Sequence, residues 1–195
     1  MRAPVLVTGS AGTIGRALCA QLAAEGVQAR GLDLRATGAA YGDVCDASAV
    51  ARAMAGCAGV VHLAAVSRVA WAERDPAGCH RTNVEGTRVV LEAALRSAAP
   101  PWVIVASSRE VYGRAAVSPV SEDAPRRPCN VYGRSKRDAE DALDAARAKG
   151  LVGASLRFAS VYGGAGDHAD RVVVAMVRGA LRGERLRVAG AARVF

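Results

Sequence analysis

Five short apolar runs are spaced along this chain with a helical pattern after each of them, and this alternation limits the fold more than any other feature. The runs are Val5-Leu6-Val7, Val27 to Leu32, Val60-Val61-His62-Leu63, Trp102 to Ala106 and Val152 to Arg157. They are continuously apolar rather than alternating, so each predicts a strand buried on both faces. Helical patterns run from about Thr13 to Glu25, from Asp46 to near Gly56, from Asp75 to about Ala98, from Asn130 to Lys149 and from Arg171 to Arg182. Asp46 and the Asp75-Pro76 pair read as helix starts, and Gly26 and Gly150 as helix stops. Strand and helix in strict alternation predict an α/β protein whose parallel sheet is covered by helices on both faces.

The first strand runs into Thr8-Gly9-Ser10-Ala11-Gly12-Thr13-Ile14-Gly15. Three glycines between a strand and a helix suit a tight turn, close backbone approach to a pyrophosphate and close strand–helix packing. The helix N-terminus adds free N–H groups and a positive dipole end. Asp33 stands 18 residues beyond Gly15, at the end of the second strand, where a carboxylate holds a ribose diol. The expected architecture is a Rossmann-type doubly wound sheet, with NAD as cofactor and NADP less favoured because Asp33 repels a 2′-phosphate. Arg16 and Arg35 either offset that repulsion or are solvated surface arginines.

The net charge of +8 is almost wholly arginine, since Lys136 and Lys149 are the two lysines. The arginines are scattered, and aromatic residues make up 4% of the chain, too few for the stacking platforms of single-strand binders. An anionic small molecule is therefore expected, not nucleic acid. No apolar run approaches the ~20 residues of a membrane helix, and Met1-Arg2-Ala3-Pro4 leaves no room for a leader before the first strand. These features predict a cytoplasmic protein without a membrane partner. Five cysteines without a Cys-x-x-Cys pair predict neither a disulfide framework nor a metal site.

Tyr132 and Lys136 lie one turn apart on one helix face. A free phenol, with a pKa of about 10, is a poor base at neutral pH. Shifting it by ~3 units takes ~4 kcal/mol of preferential phenolate stabilisation, which a neighbouring ammonium and an oxidised nicotinamide can supply.

Seven pieces in order now carry a resemblance: the glycine turn; Gly42-Asp43-Val44; His62-Leu63-Ala64-Ala65; Asn83-Val84-Glu85-Gly86-Thr87; Ser107 to Gly113; Tyr132-Gly133-Arg134-Ser135-Lys136; and Leu156 to Gly163. Together they resemble the extended short-chain dehydrogenase/reductase family, in particular its NAD-dependent sugar-nucleotide epimerases and dehydratases. The resemblance implies a nucleotide-sugar substrate. It implies Tyr132 as acid/base, Ser108 as hydrogen-bond partner of the reacting oxygen, and Lys136 on the nicotinamide ribose. It places Gly9, Gly12, Thr13, Ile14, Gly15 and Asp33 on the cofactor. Asp43 and Val44 would line the adenine pocket, Leu63, Ala64 and Ala65 would lie along the cofactor, and Asn83 would hold cofactor or backbone.

Glu110 either takes part in the chemistry or anchors a loop. Dehydratases of the family carry an acid pair where this chain has Arg109-Glu110, which argues against ordinary 4,6-dehydration. An epimerase-like enzyme is expected; a dehydratase or decarboxylase, a net sugar or uronate dehydrogenase, and a cofactor-binding module without turnover stay open. Residues 1–165 are expected to form the cofactor domain and residues 166–195 the start of a shortened substrate-binding region. Ser160 and Gly164 depart from the family's usual asparagine and proline. A homodimer pairing helices 75–98 and 130–149 is expected, through Ala139, Ala142, Leu143 and Ala146.

Overall fold

The computed structural model of the protein describes residues 2–115, 118–163, 167 and 171–185. The expected boundary at 165/166, Gly164 and the tail from residue 186 lie outside the described residues. The chain forms two compact units, Met1–Ala159 and Ser160–Phe195. No helix among the described residues is long and apolar enough to cross a membrane.

The first unit holds a five-stranded sheet of β1 (Val5–Thr8), β2 (Ala29–Leu32), β3 (Gly59–His62), β4 (Trp102–Ser108) and β5 (Gly153–Phe158). All pairs are parallel and the spatial order is β2-β1-β3-β4-β5. From β1 the chain first moves to one side, then returns past β1 and continues to the other. Right-handed crossovers therefore put α1 (Thr13–Ala24) on one face of the sheet. The opposite face receives α2 (Ala47–Met54), α5 (Gly86–Arg96) and α6 (Val131–Ala148). This is the expected doubly wound arrangement. Its reversal point, between β1 and β3, opens a crevice at the carboxyl ends of the strands.

The main core lies between the sheet and the α2/α5/α6 layer, with Leu6, Val60, Val90, Val103, Val105 and Leu143 at most 2% exposed. Caps fix the helix starts: Asp46 accepts from Ser48 and Ala49, Asp75 from Gly78, and Asn130 from Gly133. Gly26 and Gly150 end α1 and α6 with positive φ, as the sequence suggests.

Two sequence expectations need correction. The single helix expected over Asp75–Ala98 is three pieces: α4 (Pro76–His80), a π-helical turn (Arg81–Glu85) and α5. A further short helix, α3 (Val69–Arg74), precedes them. The wider turn buries Asn83 and Val84 together, and hydropathy at a 3.6-residue period cannot register that extra residue. The second correction concerns the residues through which helices 75–98 and 130–149 are expected to pair. Ala139, Leu143 and Ala146, which the sequence offers to a partner helix, are at most 4% exposed inside one copy. They belong to the buried stripe with which α6 packs on α5, β4 and β5. Of that group only Ala142 is partly buried.

In the second unit α7 (Val172–Leu181) is the described helix. Arg171 and Asp167 form an ion pair at 3.2 Å, and Asp167 accepts the Gly163 N–H at 2.9 Å.

Candidate active site

The glycine turn is shaped by contacts that only glycine permits. Gly9 has φ +70°, and a Cβ there would lie 2.7 Å from the Ala64 nitrogen. A Cβ on Gly15 would overlap the Gly9 carbonyl oxygen, and one on Gly12 would lie 3.1 Å from that oxygen. The turn is thus pressed against Leu63 and Ala64, which follow β3 half-buried with Ala65. Gly12 is the N-cap of α1 and brings no side chain to cap it; Thr13 and Ile14 form its first turn. The bare cradle, the helix end behind it and the acid beside it fit the pyrophosphate and ribose of a dinucleotide.

Asp33 completes the cradle. Its carboxylate is 7% exposed and accepts the Ala11 N–H at 2.9 Å and the Arg35 N–H at 2.7 Å. It is thereby aimed before any ligand arrives. The Arg35 guanidinium stands 3.6 Å from Asp33, and Arg16 Nε donates to Ala11 O at 3.0 Å. Both arginines therefore border the turn. Asp43 accepts the Cys45 N–H at 2.9 Å and pairs with Arg81 at 2.6 Å. Val44 is a core residue, 4% exposed, packed over Gly86.

The second half of the site is built by β4 and α6. Strand β4 runs two residues past its expected end, so Ser107 and Ser108 are strand residues and both are buried. Ser108 Oγ accepts the Glu110 N–H at 3.2 Å, which leaves the serine's own proton out of that bond. Gly133, beside Tyr132, lies so near that a Cβ on it would be 2.6 Å from the Glu110 carbonyl oxygen. That close approach brings the end of β4 against the first turn of α6. Lys136 is 6% exposed; its Nζ donates to Ala106 O at 2.8 Å and lies 5.9 Å from the Tyr132 ring centre. Burial lowers the Lys136 ammonium from its ordinary 10.5 to about 8, against the opposing influence of Cys79 and Glu140. It stays mostly protonated at neutral pH. Glu110 accepts from Asn130 Nδ2 at 2.7 Å and so ties the turn after β4 to the N-cap of α6.

This geometry has counterparts among known proteins. The family model described as "NAD dependent epimerase/dehydratase family" matches residues 5–194. The chain belongs to the NAD-dependent epimerase/dehydratase family. It is 33% identical over 174 residues to a UDP-glucose 4-epimerase of Corynebacterium glutamicum, covering 84% of this chain and 53% of that protein. Over 95 residues it is 45% identical to a dTDP-glucose 4,6-dehydratase of Streptomyces griseus, covering 49% of this chain and 28% of that one. The solved structure of MoeE5 in complex with UDP-glucose and NAD superposes with a TM-score of 0.85 at 34% identity. That match covers 96% of this chain and 64% of MoeE5. The chain spans about half the length of the curated epimerases it matches.

Within this member of the epimerase/dehydratase family, several polar residues brace the site, among them Asn83, expected from the sequence, and His62 and Glu140, whose roles the sequence does not single out. Asn83 accepts the Val66 N–H at 2.8 Å and donates to Val66 O at 3.1 Å and to Ser135 Oγ at 2.9 Å. It therefore holds backbone, one of the two roles expected of it. His62, 3% exposed, lies between the Thr8 and Thr87 hydroxyls. Glu140, 2% exposed, accepts from Ser107, from Arg126 at 3.0 Å and from Arg157 at 2.9 and 2.8 Å. Arg157 continues to the Tyr112 hydroxyl and the Glu122 carbonyl, both at 2.7 Å. The signal for Glu140 was available: with Tyr132 and Lys136 it marks every fourth residue along one helix face. The five cysteines are free thiols, and Cys129 is exposed.

Proposed function

We propose that this chain carries the cofactor half of an enzyme that binds NAD and acts on a sugar nucleotide in the manner of an epimerase. Tyr132 is the acid/base in this reading, Ser108 the hydrogen-bond partner of the reacting oxygen and Lys136 the fixed cation. The observation that carries it is the buried Lys136 ammonium, held by Ala106 O at 2.8 Å and 5.9 Å from the Tyr132 ring. An ammonium fixed beside the ring favours the phenolate of Tyr132 over the phenol by opposite charge. Bound NAD supplies the hydride acceptor and a second positive charge.

The chain's residues divide the remaining work. The phenol of Tyr132 exchanges a proton with a substrate hydroxyl. The Ser108 hydroxyl donates to the same substrate oxygen and orients it. An ammonium has three donors; the Ala106 carbonyl takes one and fixes the direction of the others. Asp33 accepts from the adenosine ribose. The UDP-glucose seen with MoeE5 and with an epimerase of Thermotoga maritima supports a nucleotide-linked hexose as substrate class. The Asn130 bond to Glu110 supports loop anchoring for that residue over proton transfer to a departing hydroxyl.

Tyr132→Phe tests the reading. With NAD and UDP-glucose or dTDP-glucose, turnover is expected to fall by roughly 10²–10⁴, with little change in NAD affinity. Near-wild-type turnover refutes Tyr132 as the acid/base. The alternative to this reading is a cofactor-binding module without turnover of its own. NAD binding without sugar-nucleotide turnover in the wild type identifies that case.

A further inference from the structure

A chain of buried hydrogen bonds runs from the loop behind the glycine turn to the helix that bears Tyr132. Its five polar side chains, Thr8, His62, Thr87, Asn83 and Ser135, are each at most 4% exposed. They come from β1, β3, α5, the π-helical turn and α6 respectively. Counting protons along the chain fixes the direction of each bond. The Asn83 carbonyl can only accept, so the Thr87 hydroxyl, 2.6 Å away, must donate to it. That uses the only proton of Thr87. At 3.0 Å from His62 Nε2, Thr87 Oγ1 is therefore an acceptor, and Nε2 carries the hydrogen.

The imidazole is neutral, because burial and the Lys136 charge push His62 down to about 3. Its Nδ1 is then bare and accepts from the Thr8 hydroxyl at 2.7 Å. Thr8 Oγ1 in turn accepts the Ala64 N–H at 3.2 Å, on the backbone that presses against Gly9. At the far end, Asn83 Nδ2 donates to Ser135 Oγ at 2.9 Å and Ser135 donates to the Tyr132 carbonyl at 2.8 Å. Every hydroxyl donates once; reversing the ring nitrogens sets a bare Nε2 against the Thr87 oxygen, whose proton is committed to Asn83 O, and takes from the Thr8 proton its acceptor at Nδ1. A buried donor without an acceptor costs about 1–3 kcal/mol, so the ordered arrangement is strongly preferred.

We propose that His62 is a positioning residue, locked in its Nε2–H tautomer, that couples the dinucleotide turn to the helix carrying Tyr132 and Lys136. The proposal rests on the reading of that helix as part of the active site, but its test is read in the cofactor and in the imidazole itself. His62 touches neither cofactor nor substrate in this role. It transmits order: the position of Ala64 behind Gly9 and the position of the first turn of α6 are fixed by one string of bonds.

Thr87→Val and Thr87→Ser separate this role from bulk stability. Valine matches threonine in shape but removes the hydroxyl, whereas serine keeps it. Long-range ¹⁵N NMR of the wild type at pH 7 is expected to show His62 with protonated Nε2 and bare Nδ1. The same pattern is expected in Thr87→Ser and a loss of the single tautomer in Thr87→Val. NAD affinity by calorimetry is expected to fall roughly tenfold in Thr87→Val and to return in Thr87→Ser. Val90→Ala, a core truncation on the same helix, is the control: it is expected to lower the melting temperature while leaving NAD affinity within about twofold. A wild-type His62 protonated at Nδ1 overturns the proposal. So does Thr87→Val binding NAD as tightly as the wild type, or Val90→Ala losing as much affinity. None of these outcomes depends on Tyr132, so loss of turnover in Tyr132→Phe, or its absence, leaves the tautomer and affinity results interpretable on their own.

Discussion

Replacing Glu140 by glutamine changes one atom and should unfasten the part of the molecule that frames the site. Oε1 accepts from Ser107 and from Arg157 Nε at 2.9 Å, and Oε2 from Arg157 at 2.8 Å and Arg126 at 3.0 Å. Glutamine keeps one acceptor oxygen and turns an NH₂ group toward an arginine. Breaking a buried ion pair by removing one partner costs about 3–5 kcal/mol. Arg126 and Arg157 are 27% and 21% exposed, so water can reach part of each released guanidinium and the low end applies. Glu140→Gln is therefore expected to cost about 3 kcal/mol at pH 7, roughly 6–12 °C in melting temperature. The pH dependence is a second, independent check. Burial alone raises the Glu140 carboxyl, but its bonds from Arg157, Ser107 and Arg126 outweigh that and hold it below the usual 4.5. A depressed carboxylate contributes stability that is complete above 4.5 and is lost as pH falls through the lower folded value. Urea titrations followed by circular dichroism should show the full gap between wild type and variant at pH 7 and a clearly smaller one at pH 3. A gap under about 1 kcal/mol at pH 7, or one that persists undiminished at pH 3, refutes the reasoning.

Asp33→Asn should weaken NAD binding about tenfold and narrow the preference for NAD over NADP, because the ribose loses a charged acceptor while one amide oxygen still receives a backbone N–H. Calorimetry with both dinucleotides checks this, and an unchanged ratio removes Asp33 from the specificity determinants. Lys136→Met should abolish the rise in stability that the wild type shows between about pH 8 and 10.5. Over that interval the unfolded chain holds a proton that the folded chain has shed. Urea midpoints of both proteins at pH 7.5 and 10 measure the difference; an equal rise in the variant assigns it to other groups.

The sheet was legible because β1, β3 and β4 are continuously apolar, although the edge strand β5, expected to be buried on both faces, exposes Ala154 and Leu156; the helix ends were legible because Asp46, Asp75 and Asn130 cap them through contacts within three residues. The glycine turn and Asp33 were legible for a similar reason: their bonds are local to one strand–helix–strand unit. Long-range polar chemistry left no periodic trace. Nothing near Thr8, His62 or Thr87 in sequence reveals that residues 54 and 25 positions apart share one imidazole. The π-helical turn escaped for the same reason, since Asn83 answers to Val66 and Ser135 rather than to its neighbours. Helix α6 misled in a different way. Its alanines read equally well as a self-complementary face or as core, and only the position of β4 and β5 beneath them decides for core.

That same helix shows how a buried site is kept affordable in a small core. Its C-terminal half inserts Leu143 and Ala146 into the apolar layer, each at most 4% exposed. Nearer its N-terminus, the preceding turns place Lys136 and Glu140 just as deep, at 6% and 2% exposed. Lowering Lys136 from 10.5 to about 8 corresponds to roughly 3 kcal/mol against folding at neutral pH. The Glu140 carboxyl, two turns of chain away from Tyr132, is shifted in the stabilising direction, held below 4.5 by Arg157, Ser107 and Arg126 against its own burial. A carboxylate one turn further along α6 thus also favours the charged form of the ammonium fixed beneath the phenol, against the burial that lowers it. Comparing Lys136→Met with Glu140→Gln then has a definite expectation: opposite signs of stability change at neutral pH, with the first variant losing cofactor affinity although it does not lose its fold.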